Sequence, residues 1–197
     1  RSRTFGDLPA GKLRLVTSDV TNGRMVILPD DLPLYGIDPQ RFPIARAVRM
    51  SGSLPFYFDP VVLPVGRRRI LFVDGGLLSN FPVWLFDVEG VPRWPTFGFR
   101  IVSKNEGEPR AVTGPFSYVK ALIQTMLEAH DKRHVEQADA VRTLFIPDCG
   151  IRTTQFDLSD ADKEKLYQAG VEAAHRFLAR WDFERYVRMY RTRSPLV

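Results

Sequence analysis

The chain is poor in the residues on which many small enzymes rely. It has a single cysteine in 197 residues, Cys149, which excludes an internal disulfide framework and fits a reducing compartment. It has three histidines. His130 and His134 stand at i and i+4, a spacing that can hold a metal, but no Glu follows His130 as in a zinc protease and Asp131 is a poor substitute. No metal and no cofactor is therefore expected. No serine stands in a Gly-x-Ser-x-Gly setting, the sharp strand-to-helix turn that presents a hydrolase nucleophile. Ser51-Gly52-Ser53 comes closest. Arg49 lies two before Ser51, however, and Ser51 and Pro55 flank Ser53 where glycines belong. No apolar run approaches the roughly 18–20 residues that span a bilayer. Arg1-Ser2-Arg3-Thr4-Phe5 leads into Gly6 and Asp7 rather than into an apolar secretory segment. The expected location is the cytoplasm, with peripheral contact to a membrane.

What is present is ordinary globular material: 44% hydrophobic and 26% charged residues, enough for one domain with a real core. The formal charge is +5, unevenly spread. From Arg176 onward six arginines (176, 180, 185, 188, 191, 193) face only Asp182 and Glu184. They interleave with Trp181, Phe183, Tyr186 and Tyr190 at the end of a long helix that begins at Ser159, with Asp162 in the capping-box position. That helix carries Leu166, Gly170, Ala174, Phe177, Leu178 and Trp181 as its apolar stripe, the small residues marking close packing on a sheet. Its end packs aromatics with the arginines kept wet, or touches lipid. Nucleic acid is not expected, because no recognition module accompanies the charge.

The most informative stretch is Ile70-Leu71-Phe72-Val73-Asp74-Gly75-Gly76-Leu77-Leu78-Ser79-Asn80-Phe81-Pro82. Four apolar residues in a row read as a strand buried on both faces. A carboxylate at its end must be paired or used, since burying it alone is costly. Gly75 and Gly76 remove every Cβ where the backbone turns or another group approaches. Asn80 or Phe81 caps a following helix with Pro82 in its first turn.

Elsewhere, Lys12–Val16 reads as a strand running into Thr17-Ser18-Asp19. An Asn22-Gly23 turn then leads to a second strand, Met25–Leu28. Asp19, ahead of a turn, reads as structural. Residues 29–42 form a loop. Pro43 opens a helix from Ile44 to Met50 with Ile44, Ala47, Val48 and Ser51 on one face. Val61–Val65 is a strand joined by a Gly66-Arg67-Arg68 hairpin to the Asp74 strand. Thr96–Val102 and Thr143–Pro147 are strands, and Pro115 to about Asp139 is helical, with Val119, Leu122, Ile123, Met126, Leu127 and His130 in 3–4 spacing.

Three blocks in this order resemble the patatin-like phospholipases. They are the Thr17-Ser18-Asp19 strand followed by Gly23-Arg24, the segment Ala45–Ser51 leading into Leu54-Pro55-Phe56-Tyr57-Phe58-Asp59-Pro60, and Asp74-Gly75-Gly76 with Asn80 and Pro82. The resemblance implies a three-layer α/β/α fold with a mixed central sheet, incomplete at its N-terminal side, residues 1–197 being the C-terminal part of a single catalytic domain. It implies a Ser–Asp dyad acting on a lipid or acyl ester, with Asp74 as base and Gly75, Gly76 and Asn80 shaping the site. The serine and the glycine-rich oxyanion loop would lie upstream of Arg1, leaving this chain alone inactive. Arg67, Arg68, Arg69 and the basic C-terminal helix would provide membrane contact. The alternative is a non-catalytic lipid-binding or interaction domain on the same scaffold. A Ser-His-Asp hydrolase using His130, His134 or His175 is disfavoured, since all three fall on expected helices and triad histidines sit on loops.

Overall fold

Polar residues in a buried strand decide the first hairpin. Thr17, Ser18 and Asp19 are all fully buried, and they belong to β1 (Leu15–Asp19) rather than to a turn after it. The strand starts three residues later than the alternation of Lys12–Val16 indicates, because its far end is held by hydrogen bonds that a local pattern does not reveal. β2 (Arg24–Leu28) returns antiparallel, Leu15 opposite Leu28 and Asp19 opposite Arg24. Gly23 closes the loop between them at φ +67, the left-handed conformation that an Asn-Gly pair supplies.

A computed structural model describes residues 3–79, 81–103, 112–115, 117–119, 121, 122, 125, 137–152 and 155–191. The described residues form two compact units, one within Arg1–Pro82 and Val112–His134, the other within Val83–Ala111 and Val135–Val197.

In the first unit, β3 (Val61–Val65) and β4 (Arg68–Asp74) form the expected hairpin, Val65 opposite Arg68. Gly66 takes φ +58 at the first central position of a two-residue turn. β4 also pairs antiparallel with β1, setting Thr17 opposite Asp74 and Asp19 opposite Phe72. The sheet order is therefore β2-β1-β4-β3, with the Asp74 strand inside it. Residues opposite one another share a face, so Thr17, Asp19, Phe72 and Asp74 look the same way. That is the side of the core, formed by Val26, Leu28, Leu63, Ile70 and Phe72 with Phe5, Leu32, Tyr35, Phe42 and two residues of α1 (Ile44–Ser51), Ala47 and Met50. Val48, expected on the buried face of α1, is 52% exposed and Met50 takes its place. Facing the sheet selects 47 and 50, with Ile44 packed against the same core as expected, and leaves 48 outside. The loop over 29–42 contains two single 3-10 turns, Leu32–Tyr35 and Pro39–Arg41.

In the second unit, β5 (Gly98–Val102) and β6 (Thr143–Pro147) pair in parallel, Gly98 opposite Thr143. The α/β class expected from the sequence is what forms, with strands of both polarities. α2 (Gln137–Val141) precedes β6. Residues 115, 117–119, 121, 122 and 125 are helical as expected, whereas Ile123, Met126, Leu127, His130 and His134 lie outside the described residues. The helix expected after Asn80 is replaced by a single 3-10 turn, Val83–Phe86. Asp87, then Gly90 at φ +74 and Pro92, leave no room for further turns.

α3 (Asp160–Leu178) begins where its cap signal places it, the Ser159 hydroxyl accepting from Asp162 N–H at 3.1 Å. It packs on β6, but through Ala173, which is buried, while Leu178 is 61% exposed. A Cβ on Gly170 would meet nothing within 4 Å, so that glycine does not mark close packing. Nor is the C-terminal stretch one helix. Asp182 starts α4 (Phe183–Tyr190) by accepting the Arg185 N–H at 2.9 Å. Of the aromatics expected to pack there, Trp181, Tyr186 and Tyr190 cluster with Phe97 and Phe177, neighbouring ring centroids lying 5.1–5.8 Å apart. No described helix is long and apolar enough to cross a membrane.

Candidate active site

Asp74 ends β4 and caps the 3-10 turn Gly75–Leu77, its Oδ1 accepting the Gly76 N–H at 2.7 Å. Its own N–H donates to the Ser53 carbonyl at 2.9 Å. One carboxylate oxygen is thus oriented by the backbone, and Oδ2 has no hydrogen-bond partner among the described residues. Burial pushes the carboxyl above the usual range, and the Gly76 hydrogen bond offsets only part of that. The result is a fixed carboxylate with one open lone-pair face and enhanced basicity, the properties of a general base.

The first of the two glycines behind it is not interchangeable with alanine. A Cβ on Gly75 would sit 2.3 Å from the Val16 carbonyl oxygen and 2.6 Å from its carbon. β1 therefore passes directly over the turn, and glycine is what allows it. Both Gly75 and Gly76 are buried. Asn80, the third residue expected to shape the site, lies outside the described residues.

Sequence reasoning missed the supports of this strand end. Thr17 donates its hydroxyl to the Val73 carbonyl at 2.7 Å and approaches the Met50 carbonyl at 3.3 Å, tying β1, β4 and the end of α1 together. Ser53 is fully buried. It donates its hydroxyl to the Arg49 carbonyl at 2.5 Å and accepts from the Arg49 guanidinium, while its carbonyl holds Asp74. It is a support and not a nucleophile. A polar residue inside the turn that ends a helix is the only sequence signal for it, and the partner atom is backbone, which no motif encodes.

Asp19 is structural, as its position before a turn indicates. Its carboxylate accepts from Thr21 N–H (3.0 Å), Asn22 N–H (2.9 Å), Asn22 Nδ2 (2.6 Å) and the Tyr35 hydroxyl (2.8 Å). Burial alone would raise its pKa. The donors from Asn22 and Tyr35 outweigh that and hold it below the usual range. Burial and the Asp19 carboxylate push the Tyr35 hydroxyl up to about 12.

Leu54-Pro55-Phe56-Tyr57-Phe58 leaves the site directly after Ser53. Phe56 is 77% exposed at a left-handed φ of +68. Arg67, Arg68 and Arg69 are exposed, but they lie at the hairpin end of β4, six residues from Asp74 and roughly 20 Å away at strand rise. His175 is exposed on α3, in the unit without Asp74.

An α/β scaffold whose inner strand ends on an oriented carboxylate, with two glycines behind it, can present a general base to a bound molecule. Residues 9–87, which contain the whole four-stranded sheet and Asp74, match the family model described as patatin-like phospholipase. An uncharacterized protein of Bacillus subtilis, YqhO, is 41% identical over 182 residues, covering 92% of this chain and 62% of that protein. An uncharacterized protein of Acanthamoeba polyphaga mimivirus, R571, is 28% identical over 137 residues, covering 66% of this chain and 44% of that protein. A Rhizobium meliloti RpoH suppressor shares 51% identity over 39 residues, 20% of this chain and 6% of that protein. The chain spans about three fifths of the Bacillus relative and under half of the viral one.

Proposed function

We propose that this chain is part of a lipid acyl hydrolase working through a Ser–Asp dyad, with Asp74 as base and the serine nucleophile upstream of these residues. The observation that carries the reading is the state of Asp74: raised basicity, one oxygen held by the Gly76 N–H and the other without a partner among the described residues. In the reaction, Oδ2 takes the serine hydroxyl proton as the serine oxygen attacks the ester carbonyl. It returns that proton to the departing alcohol, leaving an acyl-serine. Water then attacks with Asp74 again as base, releasing the fatty acid and restoring the serine. Glycines 75 and 76 keep the turn at Asp74 free of side chains. The exposed Phe56, beside Tyr57 and Phe58 on the segment leaving Ser53, supports an apolar substrate.

Fluorophosphonate labelling of the full-length protein, with the labelled peptide mapped by mass, tests the dyad. A label on a serine outside residues 1–197 is expected, unaffected by substitution of Ser53. A label on any serine of this chain would refute the upstream placement. A full-length protein that binds acyl lipid but takes no label and cleaves no ester would be the non-catalytic module instead.

A further inference from the structure

The second unit contains a cavity of about 440 Å³, inside the roughly 300–1,000 Å³ range of small-ligand sites. It lies between β6 and the C-terminal helices and shares no residue with the surroundings of Asp74. Leu144, Ala173 and Tyr186 are its buried hydrophobic lining, beside the buried Thr143. Phe177 and Trp181 contribute a stacked pair of rings with centroids 5.4 Å apart and planes inclined by 18°. Phe145 and Met189, 40% and 47% exposed, extend the apolar surface to solvent.

Three arginines, 176, 180 and 185, reach the same cavity, all exposed. Arg176 makes a loose pair with Glu172 at 3.4 Å. Arg180 and Arg185 have no ion pair among the described residues. The one acid in the lining, Asp182, already accepts the Arg185 backbone N–H as a helix cap. The nearby end of α3 carries partial negative charge, and the guanidinium groups outweigh it. The neutral polar groups are largely engaged: the Thr143 hydroxyl donates to the Asp139 carbonyl at 2.6 Å, and the Tyr186 hydroxyl accepts from Arg191 at 3.0 Å. The lining thus offers an apolar aromatic body and cationic donors, with little left to read a base or a sugar.

We propose that this cavity binds a single-chain amphiphile with an anionic head, the acyl chain lying along Phe145, Phe177, Trp181 and Met189 and the head held by Arg180 and Arg185. At roughly 30 Å³ per methylene-sized volume, the share of one water molecule, the space takes about fifteen such groups, a chain of about a dozen carbons together with its head. A fatty-acid carboxylate and the phosphate of a monoacyl phospholipid present the same chemistry. The site does not depend on the Asp74 reading and exists whether or not that residue is catalytic.

The test is calorimetric titration of the purified protein, and of its Asp74→Asn variant, with dodecanoate, dodecanoyl lysophosphatidate, dodecyl maltoside and AMP, all below micelle formation. Saturable binding of dodecanoate in both proteins, about tenfold or more tighter than of the maltoside, is expected, because only the anionic head gains charge-assisted hydrogen bonds. The double variant R180E/R185E, at two exposed positions, should lose that preference while keeping the melting temperature. Met189→Trp should weaken every single-chain ligand by filling the cavity. Binding of lysophosphatidate alone would identify the phosphate head as the ligand, and binding of both heads would identify the carboxylate as sufficient. Equal affinity for neutral and anionic heads, indifference to R180E/R185E, or binding of AMP in place of dodecanoate would overturn the proposal.

Discussion

Gly75→Ala is the substitution for which the geometry gives the sharpest expectation. The new methyl group would lie 2.3 Å from the Val16 carbonyl oxygen, 2.6 Å from its carbon and 3.1 Å from its Cβ. The obstacle is backbone, and Val16 cannot swing away, because it sits in the β1–β2 ladder opposite Ile27. Overpacking a closed site costs about 1–3 kcal/mol, and backbone on both sides puts this case at the upper end, near 3 kcal/mol. For a chain of this size, roughly 2–4 °C is lost per kcal/mol, so the melting temperature should fall by about 6–12 °C. Gly52→Ala is the matched control. Its Cβ meets only the Val48 carbonyl oxygen, at 3.5 Å, and the change should stay within about 0.5 kcal/mol. Thermal unfolding followed by circular dichroism reads both. If Gly75→Ala melts alongside Gly52→Ala, β1 does not cross the turn as described, and the account of why Asp74 is followed by glycine fails.

The remaining predictions concern the buried charges. The folded state raises the Asp74 pKa above 3.8, so its contribution to stability is full below the unfolded value and is lost as pH rises through the folded one. Asp74→Asn keeps an acceptor for the Gly76 N–H and should therefore raise stability at neutral pH by about 0.5–2 kcal/mol, the gain vanishing in acid; denaturant unfolding across pH checks it. Asp19 has the opposite sign. Its pKa is depressed below 3.8, so its stabilisation is present above the unfolded value and disappears as pH falls through the folded one. Asp19→Ala, which strands the Tyr35 hydroxyl and the donors of Thr21 and Asn22, should cost about 2–4 kcal/mol at neutral pH by the same assay. In the second unit, Arg142 is 2% exposed and binds Asp87 through two hydrogen bonds and Asp139 through two more. Arg142→Ala should destabilise that unit by about 3–5 kcal/mol, seen as faster proteolysis within residues 83–103 and 137–191. Lysine should not rescue it, since it lacks the fork that spans both carboxylates.

Short apolar runs bounded by turn residues could be read directly, which is why β3 and β6 stand where the pattern places them and β4, though it starts two residues earlier at Arg68, ends on Asp74. Ser159 and the Asn22-Gly23 turn were legible because caps and tight turns are satisfied within a few residues. β1 was misplaced because Thr17 and Asp19 are buried on partners far along the chain, Val73 and Tyr35. No local period contains those hydrogen bonds. The helical faces failed at Val48 and Leu178 for a related reason: periodicity finds a stripe, but the sheet chooses which side of it to cover. The break before α4 was written in Asp182, a good cap, and was obscured by the aromatic spacing that continues through it. At the site, Asp74 and its glycines stood out, while Ser53, whose carbonyl holds the Asp74 N–H, and Val16, whose backbone lies against Gly75, left no trace in residue type.

The central claim is that Asp74 is the base of an acyl hydrolase, and steady-state hydrolysis of a short-chain p-nitrophenyl ester tests it most directly. The comparison is the full-length protein against its Asp74→Asn variant, with folding of both verified by melting. The account predicts that the variant, equally or more stable, loses activity by about 10²–10⁴-fold, the contribution of a positioned general base. In the unsubstituted protein, the acid limb of the rate profile should lie above the ordinary carboxylate range. An Asp74→Asn protein that turns over the ester at the unsubstituted rate would contradict the account.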